Sequence, residues 1–252
     1  LLLVRTPSPT IEVPEKLNIV GLIKTAPLGA TGAFVAGITS GAILGLGALY
    51  AKTIGLDVVE ISLFIGASYL GGMVLQWPIG KLSDRQDRRL TILLVGLVGA
   101  VTALVVPFGH SVSNISIMMF GMFLLGAFTF PMYALSSSHM NDQLRPEQVL
   151  SASSGLILLN GAGGVIGPLV ASVIMDLVHI NALFIFIALM NLSVAVFAIH
   201  RMRVKAPMVV EEQGDHVHVG LTVTPVVAAE MLAEADPNTP SASDNNEVEI
   251  KL

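Results

Sequence analysis

Residues 90–141 read LTILLVGLVGAVTALVVPFGHSVSNISIMMFGMFLLGAFTFPMYALSSSHMN and contain no Asp, Glu, Lys or Arg. A helix needs about 20 apolar residues to cross the hydrocarbon core of a bilayer, so this stretch can hold two. Residues 109–114, GHSVSN, are polar and divide it. We therefore predict two membrane-spanning helices here, at 90–108 and 115–137.

Four further stretches on either side of this block are also free of charged residues: 25–51, 61–80, 148–175 and 177–200. Each is long enough for one span, which predicts further helices at 26–50, 58–79, 149–175 and 180–200. The apolar runs lack the period-two alternation of a membrane barrel strand. The sequence thus predicts an all-α membrane protein with six transmembrane helices.

The overall composition agrees with this prediction. Of the 252 residues, 53% are hydrophobic and only 12% are charged, whereas a soluble domain carries about 25% charged residues. The chain has no cysteine, so no disulfide framework can be deduced. These features favour a chain that resides in lipid.

The distribution of basic residues predicts the orientation of the six helices. Twelve of the thirteen Lys and Arg residues fall on one side of this topology, and only Lys52 falls on the other. Basic residues in short loops favour the cytoplasmic side. We therefore expect both termini in the cytoplasm, with the loops near Lys52, His110 and His179 outside.

Composition also divides the chain into three parts. Residues 1–25 open on an apolar stub followed by a Pro-rich stretch, and we interpret them as the end of a preceding helix and an interdomain linker; an unusual start is the alternative. Residues 26–205 form the six-helix bundle. Residues 206–252 hold nine acidic residues and one lysine, which predicts a mostly disordered cytoplasmic tail.

Between the second and third predicted spans, residues 80–89 read GKLSDRQDRR, which we expect to form a short turn. This segment resembles the signature loop of the major facilitator superfamily, Gly-x-Leu-Ser/Ala-Asp-Arg-x-Gly-Arg-Arg/Lys, with Asp87 where the family has Gly. The resemblance covers residues 1–205. It implies one six-helix half, built as a 3+3 inverted repeat, from the C-terminal side of a bacterial-type transporter.

The resemblance also implies that the loop acts as a conformational latch. In this role an aspartate accepts hydrogen bonds at a helix end of the first half, and the arginines pair with carboxylates or carbonyls on moving elements. The residues concerned are Gly80, Asp84, Arg85, Arg88 and Arg89. The alternative is that these basic residues only set the membrane topology.

Small residues predict close helix packing and a bend. Gly37, Gly41 and Gly45 repeat every four residues along the first span, which lets another helix approach closely. In the fifth span, Gly163, Gly167 and Pro168 resemble a bend motif of antiporters in the superfamily. We expect a kinked or flexible helix there.

Polar and aromatic residues that share a helix face are candidates for a substrate cavity, because the family resemblance places the first, second, fourth and fifth spans around its centre. The candidates are Phe34, Tyr69, Gln76, Thr129, Tyr133, Ser153 and Asn160. Each is equally consistent with an ordinary contact between helices. No acidic residue lies well inside a span, so a proton carrier, where one is used, is expected in the other half.

These observations favour secondary active transport of a small solute by alternating access, in the inner membrane, with an N-terminal six-helix half as partner. An enzyme is disfavoured, because the sequence has no His-Glu-x-x-His pattern and no carboxylate pair within the spans. We expect no cofactor, no metal and no nucleic acid. The alternative is a non-transporting membrane sensor or scaffold of the same ancestry.

Overall fold

A computed structural model describes residues 19–204, including all their side chains except those of residues 146 and 147. Within this range all regular secondary structure is α-helical. The helices are α1 (Ile19–Thr25), α2 (Pro27–Thr53), α3 (Val58–Arg85), α4 (Arg88–Ala103), α5 (Val105–Ser111), α6 (Ile115–Thr129), α7 (Pro131–Asn141), α8 (Pro146–Leu177) and α9 (Ala182–Val204). The predicted tail and residues 1–18 of the predicted linker lie outside the described residues.

Six segments of the described chain are long and apolar enough to cross a membrane, which confirms the predicted all-α membrane fold. They are α2, α3, α4 with α5, α6 with α7, α8, and α9. The ends of these spans alternate between two sides of the bundle. We call the side that carries Arg88, Arg145 and Arg201 the basic end, and the side that carries Lys52 and His179 the opposite end.

Two of the predicted spans are interrupted, and in each the interruption lies shortly before a proline. The third breaks at Leu104, three residues before Pro107, and the fourth breaks at Phe130, directly before Pro131. Proline has no N–H to donate to the carbonyl four residues earlier, and its ring crowds that carbonyl. Leu104 and Phe130 themselves keep right-handed helical dihedral angles.

The predicted turn over residues 80–89 is wrong in its extent. Helix α3 continues to Arg85 and α4 begins at Arg88, so only Gln86 and Asp87 lie outside a helix. Residues 80–85 contain no proline, and Gly80 alone costs a helix only about 1 kcal/mol relative to alanine. The Asp87 side chain accepts a hydrogen bond from the Arg89 N–H at 2.9 Å and so caps α4.

The predicted linker also contains regular structure. Helix α1 occupies its last seven residues, and Leu22 within it is buried against α2 and α8. The helical bundle therefore begins before the first predicted span, with Leu22 as its buried contact.

The helices pair in a pattern that agrees with two repeats of three spans. The most extensive contacts join α2 to α8, α3 to α6, and α4 to α9. Suppose that the first span is exchanged with the fourth, the second with the fifth, and the third with the sixth. The α2–α8 pair then takes the place of the α3–α6 pair, and the α4–α9 pair takes its own place. This is the exchange that a 3+3 repeat requires.

Glycines bring the backbones of the first two pairs together. A Cβ atom on Gly37 would meet the Asn160 carbonyl, and one on Gly163 would meet the Phe34 carbonyl. Gly41 and Gly167 likewise face backbone across the α2–α8 contact, and Gly45 faces the Pro168 ring. In the second pair, Gly71 lies against the Phe123 carbonyl and Gly126 against that of Ser68.

At the opposite end, one aromatic side chain joins three helices. Tyr50 of α2 is fully buried and donates a hydrogen bond to the Asn181 side-chain oxygen at 2.9 Å. Its ring stacks on Phe64 of α3 and meets the edge of Phe184 of α9 at a centroid distance of 4.8 Å. The polar tip of this residue is therefore satisfied inside an apolar core.

Candidate functional site

The basic end holds an ion-pair cluster built around Arg88. Its Nε atom lies 2.8 Å from an Asp142 carboxylate oxygen, and its Nη2 atom lies 3.6 Å from an oxygen of Asp84. The Arg88 Nε–H bond does not point at the Asp142 oxygen, so this contact is an ion pair and not an aligned hydrogen bond. The Arg88 and Asp142 side chains are only 3% and 11% exposed, whereas Asp84 is 47% exposed.

This cluster joins three spans. Asp84 is in the last turn of α3, Arg88 is the first residue of α4, and Asp142 directly follows α7. The adjacent Gln86 donates a hydrogen bond to the Thr91 hydroxyl at 3.2 Å. The ends of the second, third and fourth spans are thus held together by charge, and not by apolar packing alone.

The cluster adds one residue to those expected of the latch. Of the two carboxylates described beside Arg88, the closer is that of Asp142 in the same bundle, and Asp142 is not among the residues singled out in the sequence. The sequence does mark Asp142, because it is the first charged residue after the uncharged block 90–141. Arg89 is also buried, whereas Arg85 is exposed, and Gly80 faces open space.

A second candidate site is a pocket of about 650 Å³ on the exposed side of α3. Tyr69 and Gln76, two of the predicted cavity residues, contribute to its lining. The full lining is Tyr69, Gly72, Met73, Gln76, Trp77 and Phe130. The Tyr69 and Phe130 rings are stacked with centroids 5.6 Å apart, and the Lys81 ammonium lies 5.1 Å from the Trp77 ring centroid.

The structure does not bring the other predicted cavity residues into this pocket. Phe34 lines a separate cavity of about 220 Å³ with residues of α1 and α8. Asn160 donates a hydrogen bond to the Ala33 carbonyl at 3.0 Å and so joins α8 to α2. Thr129 is almost fully buried, and its hydroxyl has no hydrogen-bond partner in the described part of the chain. Tyr133 and Ser153 are half-buried.

Helix α8 remains continuous through Pro168, from Pro146 to Leu177. Among the described residues, no group of three or more His, Asp or Glu side chains is arranged to hold a metal ion.

Comparison with known proteins identifies the fold. The family model described as Major Facilitator Superfamily matches residues 29–233. An uncharacterized MFS-type transporter, YcaD, of Escherichia fergusonii is 28% identical over 193 residues, which cover 75% of this chain and 48% of that protein. The uncharacterized MFS-type transporter Ent638_1421 of Enterobacter sp. (strain 638) is 30% identical over 166 residues, 66% of this chain and 42% of that protein.

The chain spans about half the length of the curated relatives it matches. The matched family consists of transporters and not of enzymes, and the match extends across all six described spans. The resemblance seen in residues 80–89 is thereby confirmed. This chain belongs to the major facilitator superfamily.

Proposed function

We propose that the chain is the C-terminal bundle of a secondary active transporter that moves a small solute by alternating access. A second, N-terminal bundle would pack against it, and the solute would bind between the two. Both termini would lie in the cytoplasm, in keeping with the basic end of the bundle. The bacterial relatives favour the inner membrane as its location.

The observation that carries this proposal is the uneven burial of the six spans. Over an 18-residue apolar stretch, only 22% of α3 and 17% of α8 is buried, against 50–61% in the other four spans. Lipid alone could cover an apolar face. These two helices, however, also expose bare backbone at Gly66 and Gly80 of α3 and at Gly161 of α8, where a Cβ atom would meet nothing in the described chain.

Small residues on a membrane helix allow another helix to approach closely. The glycines that face inward in this bundle all serve such contacts, as between Gly37 and Asn160. We therefore assign Gly66 and Gly80, which lie before and after the pocket residues of α3, and Gly161 of α8 to contacts with the second bundle. The faces of these two helices are where the moving interface of the transporter would lie.

The cluster at the basic end would act as the latch. Arg88 holds the end of α3, which faces the second bundle, to the end of α7, which belongs to the body of this one. Separating a buried guanidinium from its carboxylate is costly, because it leaves an uncompensated charge in the interior. The cluster would thus stabilise one conformation of the transporter, and movement of α3 would weaken the Asp84 contact.

Flux through proteoliposomes tests this proposal. We expect the complete protein to move at least one solute of a chemically diverse panel across the membrane, measured by mass spectrometry of the vesicle contents. The 252-residue chain alone should move none, because it supplies one side of the site only. Arg88→Gln should lower the initial rate in the complete protein about tenfold or more.

A matched variant, Arg85→Gln, removes an exposed arginine from the same loop and should leave the rate nearly unchanged. Solute binding without flux by the complete protein would support the sensor or scaffold alternative. Uptake by the 252-residue chain at the rate of the complete protein would contradict the two-bundle proposal.

A further inference from the structure

The pocket on α3 suggests a class of substrate, and this inference rests on the proposed transport function. We propose that the pocket binds planar aromatic solutes that carry no positive charge. Three features of the pocket support this proposal: an aromatic lining, a fixed position of the Tyr69–Phe130 pair, and a lysine at one edge.

The first feature is the chemistry of the lining. Three of the six lining residues are aromatic, namely Tyr69, Trp77 and Phe130, and none of the six carries a charge. Aromatic rings bind other planar rings by offset stacking or by edge-to-face contact. The Gln76 side chain supplies both a donor and an acceptor for one polar group. The pocket is open on one side, and its volume of about 650 Å³ leaves room for one small planar solute.

The second feature is that Phe130, on which Tyr69 stacks, is held in place by close helix contacts, whereas Trp77 is exposed. Gly71 and Gly126 allow α3 and α6 to meet without side chains between them. A Cβ atom on Gly72 would lie 2.5 Å from the Phe130 ring, so only glycine lets this ring lie against α3. The Tyr69–Phe130 stack is thus formed before a ligand arrives, which lowers the entropy cost of binding.

The third feature is the charge at the edge of the pocket. The Lys81 ammonium sits over the Trp77 ring, one helical turn away in α3. A cation stacked on Trp77 would be close to this positive charge and would also compete for the same electron-rich face. A neutral or anionic solute is not repelled by Lys81 and does not compete with it as a cation for the Trp77 face. The pocket therefore discriminates by charge.

The chain offers a direct probe, because Trp77 is its single tryptophan. Tryptophan fluorescence of the 252-residue chain in lipid nanodiscs, excited selectively over tyrosine, therefore reports on this pocket alone. We expect 2-naphthol and 2-naphthoate to quench it saturably. The cation 2-naphthyltrimethylammonium should bind on the order of tenfold more weakly, because of its repulsion by Lys81.

Three variants separate a specific site from partition of the probe into lipid. Phe130→Ala should weaken 2-naphthol binding about tenfold by removing one stacking ring. Gly72→Ala keeps every lining side chain but displaces Phe130, and should weaken binding to a similar extent. Phe120→Ala removes an exposed ring from the same span, stacked on Phe123 but outside the pocket, and should leave binding unchanged. Circular dichroism verifies that each variant is folded.

Lys81→Gln tests the charge argument separately. It should bring the affinity for the cation close to that for 2-naphthol without weakening 2-naphthol. Equal affinity for cation and neutral probe in the unaltered chain would overturn the proposal, and so would quenching that persists unchanged in both Phe130→Ala and Gly72→Ala.

The complete protein decides whether the pocket belongs to a transport site. Equilibrium dialysis should detect 2-naphthol binding that Phe130→Ala weakens there too. Loss of binding in the complete protein would mean that the second bundle fills the pocket, which overturns this inference but agrees with the proposed function. Binding without flux of any solute would leave the pocket assignment intact and contradict transport.

Discussion

At the level of single residues, Arg88 is a charged side chain whose burial disfavours folding. Its charged side chain is almost fully buried at the junction of three spans, and burial of an isolated charge is very unfavourable. The Asp142 carboxylate at 2.8 Å offsets this cost, with a weaker contribution from the more distant and half-exposed Asp84. The two carboxylates therefore have unequal importance for stability.

This inequality gives a prediction. Asp142→Ala should destabilise the chain by about 3 kcal/mol, because it leaves the buried guanidinium without its closest counter-charge. Asp84→Asn should cost less than about 1 kcal/mol, as for other half-exposed ion pairs. Thermal unfolding in detergent, followed by circular dichroism, measures both. Equal unfolding midpoints for the two variants would show that Asp142 is not the principal partner.

The sequence pointed to Asp84 and Arg88, but not to Asp142. The order of Asp and Arg in residues 80–89 is visible in the sequence, whereas the position of Asp142 depends on α7 ending beside the start of α4. Such a contact between distant residues follows from helix packing. Its only local signal was the end of a long uncharged block.

At the element scale, glycines determine which helices approach closely. Helix α8 carries Gly161 and Gly163 only two residues apart, and these point in different directions. A Cβ atom on Gly163 would meet the Phe34 backbone of α2, whereas one on Gly161 would meet nothing in the described chain. The two positions form a matched pair on one helix.

We predict opposite effects for these two glycines. Gly163→Ala should destabilise the chain by about 1–3 kcal/mol, because the added methyl group forces α2 and α8 apart. Gly161→Ala should be neutral or stabilise by up to about 1 kcal/mol through the higher helix propensity of alanine. Thermal unfolding of the 252-residue chain measures both, and destabilisation by Gly161→Ala as large as that by Gly163→Ala would contradict the packing described here.

The number and placement of the spans could be predicted, because the bilayer requires long uncharged runs and the chain contains them. The interruptions at Leu104 and Phe130 were not predicted, although Pro107 and Pro131 were visible. Proline does not interrupt every span, because α3 and α8 continue through Pro78 and Pro168 without a break. Neighbouring helices decide whether the freed carbonyl groups can be satisfied.

At the scale of the whole molecule, the described bundle is covered unevenly. Helices α3 and α8 leave most of their apolar stretches exposed, and the α3 pocket opens on one of these faces. The sequence predicted that Tyr69 and Gln76 share a face. It could not show that Phe34 and Asn160 would be used elsewhere, because that depends on which faces α2 and α8 present to each other.

In the proposed transporter, a second bundle converts the exposed face of α3 into the wall of a water-filled cavity that opens to each side in turn. The present chain contains no cysteine, so Gln76→Cys introduces a single reactive site into it. Leu94→Cys, on the exposed side of α4, provides a control that should face lipid.

The most direct measurement is the reaction of these cysteines with a membrane-impermeant maleimide added from either side of the membrane. It uses the proposed two-bundle protein, with any cysteines outside the present 252 residues removed. We predict that Gln76→Cys reacts from both sides, that Asp142→Ala changes the ratio of inside to outside labelling, and that Leu94→Cys reacts from neither. If Gln76→Cys is as unreactive as Leu94→Cys from both sides, α3 faces lipid in the complete protein and the account is contradicted.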